Sequence, residues 1–159
     1  MSSASRTVRL LALTLPLLVL ADCSKDSPTA PRIEATTFAS SLGVNLASST
    51  KTASGLYYRD IAVGSGPTAV AGKSVGVHYT GWLANGTQFD TNATATLPLF
   101  FTLGIGQVIP GFDEGITGMK VGGERQIIIP PALGYGASGQ GTIPGNSVLV
   151  FTVDLVFVQ

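Results

Sequence analysis

Gln107-Val108-Ile109-Pro110-Gly111-Phe112-Asp113-Glu114-Gly115 is the segment around which the rest of the chain is read. Pro110 fixes φ near the helical value and suits the first position of a helix, where its missing N–H costs nothing. Asp113 and Glu114 then fall in the first turn, where negative charge offsets the positive end of the helix dipole. Gly115 and Gly118 keep the helix short. Val108 and Ile109 precede the turn, and Phe112 lies on it. Two readings stay open from these residues: the floor of a pocket, or a connector packed on the core.

Strand signals surround this short helix. Residues 74–83 alternate, with Val75, Val77 and Tyr79 on one face and Gly76, His78 and Thr80 on the other. Asn85-Gly86 marks a hairpin turn, and residues 87–90 begin the return strand. Further strands are expected over 56–62, 97–103, 124–129 and 148–158. In 124–129, Ile127 and Ile129 point inward; in the last, Leu149, Phe151, Val153, Leu155 and Phe157 share one face. Residues 130–146 form a long loop with glycines at 134, 136, 139, 141 and 145. The expected fold is α+β: a twisted antiparallel half-barrel wrapped around one short α-helix, over residues 54–159.

Composition narrows the function. The chain has 159 residues, formal net charge zero and 11% charged residues, which opposes nucleic-acid binding because phosphate contacts need clustered Lys and Arg. One cysteine, Cys23, and one histidine, His78, give no zinc or iron–sulfur ligand set, and no metal or cofactor is expected. A Ser/His/Asp triad would need His78, which reads as a structural or solvent-facing side chain, and no G-x-S-x-G elbow is present. A glycosidase would need two carboxylates across a cleft. Asp113 and Glu114 are accounted for by the helix start, leaving Asp90, next to Phe89, as a lone carboxylate among aromatics. Tyr79, Phe89, Phe112, Tyr135 and Phe151 come from separate elements. Each by itself reads as core; with Asp90 and the Gly-rich loop around Tyr135 they outline a concave apolar site.

The N-terminal part carries a different message. Arg6 and Arg9 precede a twelve-residue apolar run, 10–21, too short for a bilayer span of about 20 residues but suited to a secretory signal. Its end, Leu20-Ala21-Asp22-Cys23, resembles a bacterial lipobox, with Asp22 where that pattern has Gly, Ala or Ser. Lipidation of Cys23 is the expectation, and ordinary cleavage after Ala21 is the rival. Ser24 after the cysteine resembles the outer-membrane sorting pattern of enteric lipoproteins. The chain therefore divides into a signal peptide (1–22), a flexible tether (23–53) and a globular domain (54–159). Within the tether, Phe38, Leu42 and Leu46 recur at helical spacing, while Gly43, Val44 and a Ser/Thr run oppose a helix. Loose packing or mobility is expected there.

Val77-His78-Tyr79-Thr80-Gly81, Asn85-Gly86 to Phe89-Asp90, Gly104 to Gly115, Gly122 to Pro130, Tyr135-Gly136-Ala137, Ile143-Pro144 and Leu149-Val150-Phe151 together resemble the FKBP family of peptidyl-prolyl cis/trans isomerases. The resemblance implies a substrate proline seated between sheet and helix. It implies substrate-binding roles for Tyr79, Phe89, Leu99, Val108, Phe112, Ile143 and Phe151. Catalytic roles are implied for Asp90, the Tyr135 hydroxyl and the Ile109 backbone N–H. Phe112 stands where the family most often has tryptophan, Leu99 where an aromatic is common, and Ala95 where many members have an arginine paired with the aspartate. The implied partners are proline-containing unfolded or partly folded proteins and macrolide inhibitors. The expected protein is a monomer on the periplasmic side of the envelope, touching the membrane only through the lipid and assisting the folding of exported proteins. The alternative is a non-catalytic chaperone or peptide-binding module on the same fold.

Overall fold

A computed structural model describes residues 31–159. The signal segment, Cys23 and residues 24–30 lie outside the described residues. Seven strands are present among the described residues: β1 (Thr50–Lys51), β2 (Tyr57–Ala62), β3 (Ser74–Leu83), β4 (Gln88–Thr91), β5 (Leu99–Thr102), β6 (Glu124–Ile129) and β7 (Leu149–Val158). One α-helix, α1 (Pro110–Ile116), sits between β5 and β6. Every pairing is antiparallel, in the order β1-β2-β6-β7-β3-β4, with β5 also on β3. The α+β sheet around one short helix is therefore as expected.

The helix lies against the inner face of the sheet through its glycines. A Cβ on Gly111 would stand 2.4 Å from Ile129 Cγ2, and one on Gly115 2.6 Å from Ile127 Cγ2. These two positions, one helical turn apart, let the backbone of α1 approach β6 closely. Ile127 and Ile129 are fully buried beneath them with Val75, Val77, Leu149, Val153 and Leu155. Asp113 does more than offset the dipole: its carboxylate accepts from Gly104 N at 3.0 Å and Gly106 N at 3.1 Å, pinning the loop from β5 into the helix. At the other end of α1, Arg125 donates to Gly115 O at 2.9 Å and Thr117 O at 3.2 Å, partnering carbonyls that a helix terminus leaves unpaired.

Two bulges alter the expected side-chain directions. Gly76 faces Phe157 while Val77 faces Leu155, so Val156 is an extra residue in β7. Strict alternation would put Phe157 on the inner face. The bulge sends it outward instead, where its ring packs edge-on against Phe100 at 5.6 Å, and Val158 packs on the inner core. The second bulge lies in β4 and shapes the site.

The segment read as a flexible tether is docked over the part described. Three short 3₁₀ turns, Ile33–Ala35, Ser40–Leu42 and Leu46–Ser48, lead into β1. The buried Ile33, with Phe38, Leu42, Val44 and Leu46, covers the outer-face residues Tyr57, Ile128, Val148 and Val150. Gln126 Nε2 donates to Leu42 O at 2.7 Å, Arg59 to Gly43 O at 3.1 Å, and Ala39 N to Ala84 O at 2.8 Å. Outward-facing apolar residues on β6 and β7 need a cover, and the arm supplies it. At its end Glu34 accepts from Lys51 and, at 2.7 Å, from the Tyr57 hydroxyl. The bond from Lys51, followed by that from Tyr57, pulls the Glu34 carboxyl down from 4.5 to about 2. The arm's contribution through this group is therefore full above pH 4.5 and disappears as pH falls through about 2. Glu34→Gln is expected to cost a modest amount at pH 7, because its side chain is 46% exposed and solvent screens the pair. At pH 2 the cost should be close to nothing. Urea midpoints of the two proteins at both pH values measure this.

Candidate functional site

Between α1 and the end of the sheet lies a cavity of about 420 Å³, lined by residues from β3, β4, β5, the loop between β5 and α1, α1, β7 and the loop after β6. This falls in the size range of small-ligand sites, roughly 300–1,000 Å³. The buried Phe112 forms the floor. Its ring centroid lies 5.1 Å from Phe151, 5.5 Å from Tyr79 and 6.1 Å from Phe101. Phe89 stands edge-on to Phe151 at 5.5 Å. Such T-shaped contacts hold the rings in fixed relation.

Phe89 and Asp90 both line this cavity although they are consecutive in β4. Alternation would send them to opposite faces. The register between β3 and β4 shifts here: Gly81 pairs with Asp90 and Trp82 with Gln88, leaving Phe89 bulged. The bulge re-aims both side chains to one side. Gly81 is required beneath it, because a Cβ there would come within 2.7 Å of both Phe89 and Phe151.

Asp90 is held on both oxygens. The Tyr79 hydroxyl donates to Oδ2 at 2.7 Å, and Thr91 N donates to Oδ1 at 2.8 Å. Burial, followed by the hydrogen bond to Asp90, pushes the Tyr79 hydroxyl far above its ordinary value of 10. Burial and then the charge on Asp90 raise Tyr135 as well. Both phenols are therefore neutral donors at physiological pH. The Tyr135 hydroxyl and the Ile109 backbone N–H have no hydrogen-bond acceptor among the described residues, and both residues line the cavity. The site is thus an apolar bowl with unengaged donors at Ile109 and Tyr135 and one oriented carboxylate.

Of the residues singled out from the sequence, Tyr79, Phe89, Asp90, Leu99, Val108, Ile109, Phe112, Tyr135 and Phe151 come together on the wall. Ile143 does not. It is buried in the core, in a turn where its N–H donates to Gln140 O at 2.8 Å and Gln140 N donates back to its carbonyl at 2.9 Å. Gly106 and Gln107 are wall residues that the sequence reading does not assign to the site. Gln107 directly precedes Val108, and that adjacency is the signal that could have found it. His78 Nδ1 lies 3.1 Å from Asn92 O, a structural role away from the wall.

The model of the family described as FKBP-type peptidyl-prolyl cis-trans isomerase matches residues 66–156. The chain belongs to this family. Among its FKBP relatives, an FK506-binding protein of Neisseria meningitidis serogroup B is 52% identical over 105 residues, covering 65% of this chain and 96% of the relative. FK506-binding protein 4 of Dictyostelium discoideum is 50% identical over 104 residues, 65% of this chain and 28% of that protein. Among solved FKBP-like structures, FkpA from Escherichia coli superposes with a TM-score of 0.65 at 39% identity, covering 70% of this chain and 52% of that one. AtFKBP13 gives the same TM-score and identity, with 70% of this chain and 98% of that chain covered.

Proposed function

We propose that the protein accelerates rotation about X–Pro peptide bonds in exported polypeptides, acting from the periplasmic side of the outer membrane through a lipid on Cys23. The observation that carries the isomerase reading is the apolar bowl over Phe112 with unengaged donors at Ile109 and Tyr135.

Amide resonance sets a rotation barrier of ~18–20 kcal/mol, and uncatalysed exchange takes tens to hundreds of seconds. No nucleophile is needed to lower it. The planar amide is more dipolar than the twisted one, so a dry pocket favours the twisted geometry relative to the planar ground state. The proline ring rests on Phe112 between Tyr79 and Phe151. The Ile109 N–H and the Tyr135 hydroxyl bond carbonyls flanking the ring. Asp90, locked by Tyr79 and Thr91, sits near the rotating carbonyl and acts on its changing charge. Lowering the barrier by about 8 kcal/mol would give on the order of a million-fold. FK506-type macrolides are expected to compete for the same bowl, with Phe112 offering a smaller floor than tryptophan would.

A protease-coupled assay on a short Ala–Pro peptide tests the function. A folded protein that leaves the rate at the buffer value would refute catalysis, and suppression of aggregation without turnover would establish the chaperone alternative. Because both phenols are held above their ordinary value of 10, kcat/KM is expected to show no alkaline loss between about pH 7 and pH 9. A Tyr135→Phe protein that keeps the wild-type rate would remove the donor role of Tyr135. Palmitate-analogue labelling of cells tests the anchor, with Cys23→Ser as control.

A further inference from the structure

The outer edge of β5 is apolar and uncharged, with Pro98 just before the strand and Gln107 covering one of its amides, which leaves the main chain at Phe100 open. Sheets ordinarily blunt a free edge with charge, proline or a covering element. The other edge strands follow this practice, with Lys51 in β1 and Asp90 in β4. In β5, Leu99-Phe100-Phe101-Thr102, there is no charge. Its inner side pairs with β3, Phe101 opposite Val75 and Phe100 opposite Gly76. Leu103 N continues that inner side, donating to Lys73 O at 2.9 Å. Thr102 N points the other way and donates to the Gln107 side chain at 2.6 Å. By the two-residue period of an antiparallel strand, the N–H and carbonyl of Phe100 point outward with Thr102.

Side chains at this edge are also exposed. Phe100 is 53% exposed and stacks edge-on with the partly exposed Phe157 over Gly76. Leu97 and Ile105, just before and after the strand, are 73% and 61% exposed. The edge is continuous with the cavity, because Leu99 and Gln107 belong to both: Leu99 is a wall residue and the first residue of β5, and Gln107 is a wall residue that covers the Thr102 N–H.

We propose that the free edge of β5 is an extension of the substrate site, at which an extended apolar stretch of the client chain beside the proline pairs with the main chain at Phe100. The proposal rests on the reading of the cavity as the seat of the proline. Strand addition draws affinity from main-chain bonds and selectivity from the alternate side chains. The client favoured here has β-branched or aromatic residues next to its proline, as a strand exposed in an unfolded protein has. The Phe100–Phe157 pair would hold such side chains on the outer face, while Leu99 leads the chain into the bowl. A tetrapeptide is too short to use this edge.

The probe is a fluorescein-labelled dodecapeptide with one Ala–Pro bond flanked by valines and leucines, together with a twin N-methylated at alternate amides of the flank. The wild-type protein is expected to bind the plain peptide at least tenfold more tightly than the twin. Phe100→Asp, an exposed position outside the cavity wall, is expected to weaken plain-peptide binding about fivefold and leave tetrapeptide turnover unchanged. Equal affinity for both peptides, or a Phe100→Asp protein that binds as the wild type does, would overturn the proposal. So would a wild-type dimer in sedimentation velocity that Phe100→Asp dissolves, since a second copy would then own the edge. N-methyl sensitivity in a protein that fails to turn over the tetrapeptide would support the edge and defeat the isomerase reading, so the two fail separately.

Discussion

Replacement of Arg125 by leucine is expected to lower the unfolding free energy by about 3 kcal/mol. Arg125 is 6% exposed and serves three sets of partners at once. Its Nε donates to Asp60 at 2.6 Å, its Nη1 reaches the carbonyls of Gly115 and Thr117, and its guanidinium lies 4.3 Å from the centre of the Tyr58 ring. Leucine fills part of the volume but leaves those carbonyls at the end of α1 without their donor. Removing one partner of a buried pair usually costs about 3–5 kcal/mol. The low end applies because the Asp60 side chain is 36% exposed and water can take over its solvation. Asp60→Asn keeps an amide oxygen and the carbonyls of Gly115 and Thr117 as acceptors for the guanidinium and is expected to cost less than Arg125→Leu. Urea unfolding monitored by circular dichroism would show a lowered midpoint with an unchanged slope. An Arg125→Leu protein as stable as the wild type would mean that α1 is held by its glycine contacts with β6 alone.

Asp90→Ala is expected to reduce kcat/KM on a short X–Pro peptide by ten- to a hundredfold, equivalent to about 1.4–2.7 kcal/mol of transition-state stabilisation. The carboxylate is exposed, so the fold loses little. The substitution removes the group fixed by Tyr79 at 2.7 Å and Thr91 at 2.8 Å and leaves the Tyr79 hydroxyl without that acceptor. Two further variants separate charge from placement. Asp90→Asn keeps the shape and loses the charge. Tyr79→Phe keeps the charge and loses one of its two restraints. If charge carries the effect, Asp90→Asn falls nearly as far as Asp90→Ala, and Tyr79→Phe loses only a fewfold. An Asp90→Ala protein that retains the wild-type rate would show that the bowl and its two donors suffice.

Much of this architecture is legible because local chemistry and tertiary context agree. The β3 alternation, the Asn85-Gly86 turn and the Pro110 helix start each have one low-energy outcome, and β3 and β6 run over the residues expected. The site is legible because its residues sit within ordered motifs. The departures share a cause. Phe157 and the shared direction of Phe89 and Asp90 depend on bulges, which are properties of strand pairing and leave no mark in one strand's own residues. Ile143 is apolar and lies in a loop, which suits a wall; it is buried in the same cluster as Phe112 and Phe151 but is not among the residues that line the cavity. The arm over residues 33–51, read by itself, argues against regular structure through Gly43 and its Ser/Thr run. Its partner signal stands elsewhere: Ile128, Val148 and Val150 are apolar where an open sheet face would be polar.

Backbone preference and hydrophobic period act over a few residues, and they suffice for the class of fold, the short helix at Pro110 and the set of aromatics available to build a bowl. They do not reach how close α1 lies to β6, which consecutive residues share a face, what covers the outer sheet, or which edge stays open. Those features depend on contacts between segments far apart in the chain, where Gly111 meets Ile129, Gly81 admits Phe89, and Leu42 meets Gln126. The stretch from Gln107 to Gly115 belongs to both accounts. Its own residues start the helix, and the sheet packed around that helix makes Phe112 a floor.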